Sequence, residues 1–184
     1  MKECVDGGVF VRKIALVGPM GAGKSSVGRR LSGVLGCSFI DLDEAIEQYT
    51  KQSIAEIFSE SGEAEFRSIE HQQLEAFSTS SSVQSVVLAT GGGIVETPQN
   101  RALLEKHWYT VWLDSDVQTL AKRVEQDSNI RPLLQQQRGP LLEQRLQELV
   151  SRRAPWYQQV ARVRVQVAGL TVEEVVNRLL QLGL

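Results

Sequence analysis

The sequence predicts an α/β fold in which a parallel sheet is covered by helices on both faces. Short apolar runs alternate with stretches of helical periodicity along the chain, a pattern that builds right-handed strand–helix–strand crossovers. The first apolar run also ends in a glycine-rich turn that opens a helix, GPMGAGKS at 18–25, and open α/β sheets bind ligands at such strand ends. A chain of 184 residues has the length of one domain, so 1–184 is expected to fold as a single unit.

RKIALV at 12–17 reads as a buried strand. Residues 24–35 carry Val27, Leu31, Val34 and Leu35 on one helical face, and Gly36 stops that helix. Cys37 to Ile40 reads as a second strand closing on Asp41, with a short helix expected over 43–50. Ser53 and Glu56 form a capping box for the next helix, which Gly62 ends. A further helix is expected over 63–77, with Phe66, Ile69, Leu74 and Phe77 in phase. Val86 to Ala89 reads as a strand running into Thr90 and three glycines. Pro98 sits at the favoured first position of a helix reaching about Lys106. Tyr109 to Leu113 is a strand, and Val117, Leu120, Ala121 and Val124 mark a helix by their spacing. The polar, proline-containing stretch 126–140 reads as a mobile loop able to close as a lid. A long helix from 141 to about 153, a strand over 162–167 and a helix capped by Thr171 and Glu174 complete the pattern.

Composition excludes several classes. Hydrophobic residues make up 42% and charged residues 23%, with a formal net charge of −2, so nothing asks for nucleic acid or an anionic membrane surface as a partner. No apolar run approaches the length of a membrane span. Cys4 and Cys37 form no metal or redox spacing and suit a reducing compartment. The first eleven residues lack the apolar region of a secretory leader. A cytoplasmic monomer is expected, or an organellar form from which a leader has been removed. His71 and His107 are isolated and read as structural, and Trp108, Trp112 and Trp156 as packing residues.

The loop at 18–25 matches G-x-x-x-x-G-K-[ST] with a strand before it and a helix after it. Glycines let backbone N–H groups approach phosphate oxygens, and the helix N-terminus adds its partial positive charge. Gly21, Ala22, Gly23, Lys24, Ser25 and Ser26 are the expected ATP contacts. Lys24 would reach the β- and γ-phosphates, and the Ser25 hydroxyl would ligate Mg²⁺. No aspartate ends the third strand, so metal chemistry needs another carboxylate.

Asp41-Leu42-Asp43 supplies one. If the segment is extended, the two acids point to the same side at the end of the second strand, one toward hydrated Mg²⁺ and one toward a substrate hydroxyl. Helix capping is an equally good use for either. Arg67 and Glu70, three apart on a helix, make either a preorganised anion receptor or an ordinary exposed ion pair. Gly91, Gly92 and Gly93 permit close ligand approach or merely a turn. Arg131, before Pro132, could swing from the lid onto a transferring phosphoryl group or stay solvated. Arg152 and Arg153 are expected near a helix C-terminus, where cations are favoured.

Taken together, GPMGAGKS at 18–25, FIDLD at 39–43, the run from Ser53 to Glu70, ATGGG at 89–93, IRPLL at 130–134 and RRAPWYQQVA at 152–161 resemble the shikimate kinase family, over nearly the whole chain. The resemblance implies a P-loop, nucleoside-monophosphate-kinase-like fold, a five-stranded parallel sheet flanked by helices with a mobile lid over about 126–140 and a substrate-binding segment over about 43–73. It implies transfer of the ATP γ-phosphate to the 3-hydroxyl of shikimate, with Mg²⁺, in aromatic amino acid biosynthesis. Catalytic roles fall on Lys24, Asp43 and Arg131. Asp41 matches the acid near the metal, beside Ser25. Asp43, Arg67, Glu70, Gly91, Gly92, Gly93 and Arg153 match the substrate-binding set, with Arg67 and Arg153 on the shikimate carboxylate and Glu70 ordering Arg67. Arg123 resembles the arginine that packs on adenine, and Arg131 the lid arginine. The chain departs from many relatives at Lys51, where they have glycine, and at Leu42, which should point away from the ligand. A gluconate kinase would share the phosphate loop but lack the rest, and a non-catalytic nucleotide-binding homologue would have lost Lys24, an acid or the lid arginine.

Overall fold

The structure, a computed structural model, describes residues 12–81, 85–126 and 138–184. Five strands form one sheet, all parallel: β1 (Lys13–Val17), β2 (Ser38–Asp41), β3 (Val86–Ala89), β4 (Tyr109–Asp114) and β5 (Val163–Gln166), in the order β2-β3-β1-β4-β5. The helices are α1 (Lys24–Leu35), α2 (Leu42–Thr50), α3 (Ile54–Glu60), α4 (Gly62–Thr79), α5 (Pro98–His107), α6 (Val117–Gln126), α7 (Pro140–Val160) and α8 (Val172–Gln181), with a 3-10 turn at Ile94–Glu96.

Alternation along β1 divides the core. Ile14 and Leu16 pack on one face with Val27 and Leu31 of α1, Leu120 of α6 and Val176 and Leu179 of α8. Ala15 and Val17 face the other side, with Leu42 and Ile46 of α2, Leu74 of α4 and Leu104 of α5. Burial on both faces explains why β1, β3 and β4 read as continuous apolar runs. Trp108 and Trp112 are buried in the second cluster and Trp156 packs against it. Among the described residues, no helix is long and apolar enough to cross a membrane.

Two local expectations need correction. The long helix does not end near Arg153 but continues to Val160 through Pro155. Proline removes one helical hydrogen bond, and burial offsets that loss: Leu142, Leu146 and Leu149 pack in the first cluster, while Tyr157 and Val160 reach the second. Arg153 is therefore mid-helix and buried, not a cation at a helix end. The second correction concerns Asp43. The extended chain stops at Asp41, and Leu42 already begins α2. Leu42 is buried in the core, as expected, but Asp43 projects from a first helical turn.

The topology places the candidate residues together. β3 lies between β2 and β1, so with every strand parallel the segments leaving β1, β2 and β3 emerge side by side. Those segments are the phosphate loop, the acids and the glycine triplet.

Candidate active site

The phosphate loop closes on Gly23, which caps α1 in the left-handed region at φ 86°, a conformation that a residue with a Cβ adopts at a cost of roughly 1–2 kcal/mol. Lys24 is largely buried and donates from Nζ to the carbonyls of Gly18 at 2.9 Å and Pro19 at 2.8 Å. Arg123, on α6, donates to the Gly21 carbonyl at 3.2 Å and reaches Val167 beyond β5 at 3.5 Å. It thus sits against the loop.

Asp41 has two partners. Its Oδ1 accepts from the Asp43 backbone N–H at 3.1 Å, capping α2. Its Oδ2 accepts from Ser25 Oγ at 2.6 Å. The capping alternative posed from spacing is realised by Asp41, and its second oxygen is turned to Ser25.

The glycine triplet touches the rest of the site in turn. A Cβ built on Gly91 would lie 3.0 Å from Asp43 Oδ1 and 3.2 Å from Glu70 Oε1. One on Gly92 would meet the Met20 backbone nitrogen at 3.3 Å and Arg153 Nη1 at 3.6 Å, and one on Gly93 would collide with Arg67 Nη2 at 2.2 Å. Gly93 has an ordinary φ of −94°, so a side chain there would have to displace the Arg67 guanidinium but would not strain the backbone. Tyr157, wholly buried, donates its hydroxyl to the Gly92 carbonyl and fixes the triplet from behind.

Arg67 donates to Glu70 at 2.9 Å and to Glu63 at 3.1 Å. Burial works against its charge, but Glu70, with help from Glu96 and Glu63, raises its pKa. The exposed-pair alternative fails here, because Glu70 is fully buried and the Arg67 side chain is 15% exposed. Burial, and more weakly the neighbouring Asp43, push Glu70 up to about 7 against the pull of Arg67 and Arg153. Three buried polar atoms in this group make no hydrogen bond: Arg67 Nε, Arg153 Nη2 and Glu70 Oε1. Such atoms are rare in folded proteins.

The raised Glu70 pKa has a consequence for stability. The folded chain holds this proton longer than the unfolded one, so the contribution is full below about pH 4.5 and is lost as pH rises through about 7. Glu70→Gln cannot titrate. Its Tm should therefore gain on the wild type as pH rises from about 5 to about 8. Parallel Tm-against-pH curves for the two proteins would show that Glu70 is ionised throughout.

Arg131 lies outside the described residues, as does most of the expected lid. Contacts link most of the other expected residues: Ser25 with Asp41, Gly21 with Arg123, Arg67 with Glu70, and the triplet with Asp43, Glu70, Arg67 and Arg153. Sequence reading missed Glu96, Tyr157 and Arg101. Glu96 Oε1 accepts from Arg153 Nε at 2.9 Å and Arg152 Nη2 at 2.6 Å. Tyr157 lies one helical turn past Arg153, which would have flagged it had the helix been extended through Pro155. No comparable signal marked Glu96. Its partners are 29 to 57 positions away.

Comparison with known proteins gives consistent results. The family model for shikimate kinase matches residues 20–182. A shikimate kinase of Halorhodospira halophila is 45% identical over 169 residues, covering 92% of each chain. Among solved structures, a shikimate kinase from Acinetobacter baumannii in complex with shikimate superposes with a TM-score of 0.86 at 38% identity, covering 94% of this chain and 93% of that one. A gluconokinase from Sinorhizobium meliloti, at 20% identity and a TM-score of 0.54 over 94% of this chain and 91% of its own, shares the fold alone.

Proposed function

The chain belongs to the shikimate kinase family, and we propose that the residues gathered around its glycine triplet perform the ATP-dependent phosphorylation of shikimate at the 3-hydroxyl, giving shikimate 3-phosphate and ADP for aromatic amino acid biosynthesis. The observation that carries this reading is the convergence of two acids and two arginines on that triplet, beside the phosphate loop. The segment over about 43–73 is then the substrate-binding part of one domain spanning 1–184, the lid over about 126–140 carries Arg131 to the phosphates, and the enzyme works as a cytoplasmic monomer.

The chemistry is a displacement. The substrate hydroxyl oxygen bonds to the γ-phosphorus, the bond to the β-bridging oxygen breaks, and ADP leaves with that electron pair. Asp43 would accept the hydroxyl proton. The N–H groups of Gly21 through Ser26 and the Lys24 ammonium offset phosphate charge, and Lys24 would exchange its loop carbonyls for phosphate oxygens. Arg67 and Arg153 hold the substrate carboxylate, with Glu70 ordering Arg67. Arg123 packs on adenine.

Ser25 Oγ and Asp41 Oδ2, 2.6 Å apart, are hard oxygen donors. Among the described residues no three His, Cys, Asp or Glu cluster to enclose a metal. That sparse donor set fits Mg²⁺, which keeps its waters and takes other oxygens from phosphate. Bound there, Mg²⁺ would neutralise charge on the β- and γ-phosphates.

ATP turnover with shikimate, gluconate and shikimate methyl ester tests the reading. Shikimate should be phosphorylated, gluconate should not, and the ester should be a poor substrate because it denies both arginines a charged partner. Arg67→Lys and Arg153→Lys keep the charge but lose the planar fork. Each should raise the shikimate KM about tenfold or more with little change for ATP, and their effects should be non-additive because they share one ligand group. An ester used as well as the acid would show that these arginines do not read the carboxylate.

A further inference from the structure

The 3-10 turn after the triplet sets one carboxylate among three arginines from two helices. Glu96 Oε1 accepts from Arg152 Nη2 and Arg153 Nε of α7 at 2.6 and 2.9 Å, and Oε2 lies 3.7 Å from Arg67 Nη2 of α4. The turn itself is pinned. Glu96 N–H donates to the Gly93 carbonyl at 2.9 Å, and Arg101 Nη1 donates to the carbonyls of Val95 at 2.6 Å and Glu96 at 3.2 Å. Arg101 in turn lies over the Trp156 ring at 5.3 Å. The Glu96 side chain is 19% exposed. It is an aimed group and not a solvated one.

We infer that Glu96 is a positioning residue for substrate recognition, whose carboxylate holds Arg67 and Arg153 converged on one point so that the substrate carboxylate meets a preformed fork. The inference rests on the shikimate kinase reading and adds a residue to it. Two guanidinium groups brought together from separate helices repel each other. Arg67 has Glu63 and Glu70 on its own helix. Among the described residues, Arg153 has no ion-pair partner on α7, and Glu96 is the carboxylate that reaches both arginines. A shared counter-ion ordered before substrate arrives lowers the ordering that binding must supply.

The atoms involved separate positioning from competition. Glu96 takes Arg153 along its Nε edge and leaves Nη2 without a partner, and it faces Arg67 through Nη2 and leaves Nε without one. Glu96 therefore engages only part of each guanidinium. Arg152, with its side chain 54% exposed, is a rim cation that shares Oε1 and contributes little.

The test uses the full chain as wild type, Glu96→Leu and Glu96→Gln. Shikimate affinity is measured by calorimetry without nucleotide, and KM, kcat and use of shikimate methyl ester by coupled assay. Glu96→Leu should weaken shikimate binding and raise its KM about tenfold. Its kcat and ATP KM should stay within about twofold, and the preference for shikimate over the ester should shrink, which a purely structural loss would not cause. Glu96→Gln, which keeps an acceptor for Arg153 without the charge, should fall between and covers the case in which the leucine variant does not fold. An unchanged shikimate KM in Glu96→Gln and any foldable Glu96→Leu overturns the inference. A KM that falls also overturns it, by showing Glu96 to be a competitor of the substrate. If the wild type neither binds nor phosphorylates shikimate, the functional reading fails and this inference fails with it. An active wild type with indifferent variants removes only the role of Glu96.

Discussion

Lys24→Ala should lower kcat by about 100-fold or more while the fold and shikimate binding persist. The ammonium lies at the start of α1, largely buried, and its acceptors are carbonyls of the loop itself. Backbone and glycine conformation hold that loop, with Gly23 capping α1 and Ala22 N–H donating to the Pro19 carbonyl at 3.2 Å. Removing the side chain takes away the charge proposed to meet phosphate without dismantling the cradle. The groups proposed to read shikimate lie on α2, α4, α7 and the triplet, so the loss should fall on turnover. Saturating both substrates isolates kcat, and calorimetry with shikimate alone reports the remainder of the site. A folded mutant with near-normal turnover would remove Lys24 from the chemistry.

The sheet was legible because β1, β3 and β4 are short apolar runs bounded by a stop and β5 alternates valine with polar residues, and the phosphate loop because its glycines and lysine occur at fixed spacing. The capping boxes at Ser53 and Thr171 were legible for the same reason and form as read. What sequence could not settle was set by long-range packing. Whether Asp43 sits on a strand or a helix depends on where β2 stops pairing with β3, and that pairing ends at Asp41 opposite Ala89. Whether α7 stops near Arg153 depends on Tyr157 and Val160 finding a core contributed by distant segments. Local propensity weighs a proline against continuation, but it cannot see that core. The Arg67–Glu70 pair had a local signal of the right kind and an undetermined depth. Three-residue spacing gives contact, and only the fold gives the burial that sets this pair apart from an ordinary exposed one. Glu96 had no local signal, since its partners come from the two helices that flank the triplet.

The acid pair offers the second large effect. Asp43→Asn should lower kcat/KM for shikimate by about 10²–10⁴-fold and leave nucleotide affinity nearly unchanged. The amide keeps the shape of the side chain, but it cannot take a proton and it donates where the hydroxyl needs an acceptor. Position separates the two acids. Asp43 lies in the first turn of α2, where the helix N-terminus favours its negative charge. Its oxygen borders Gly91 beside Glu70, among the groups proposed to bind shikimate. Asp41 faces the Ser25 hydroxyl and caps α2, so Asp41→Asn should act through nucleotide and Mg²⁺ affinity, with a loss of stability of about 1 kcal/mol from the weakened cap. The two variants should therefore fail on opposite substrates. Measuring the KM for ATP at saturating shikimate, and for shikimate at saturating ATP, reads both directions in one set of assays. If Asp43→Asn lost ATP and shikimate affinity equally, Asp43 would be a metal or helix-end residue, and the proton would have to leave the hydroxyl by another path.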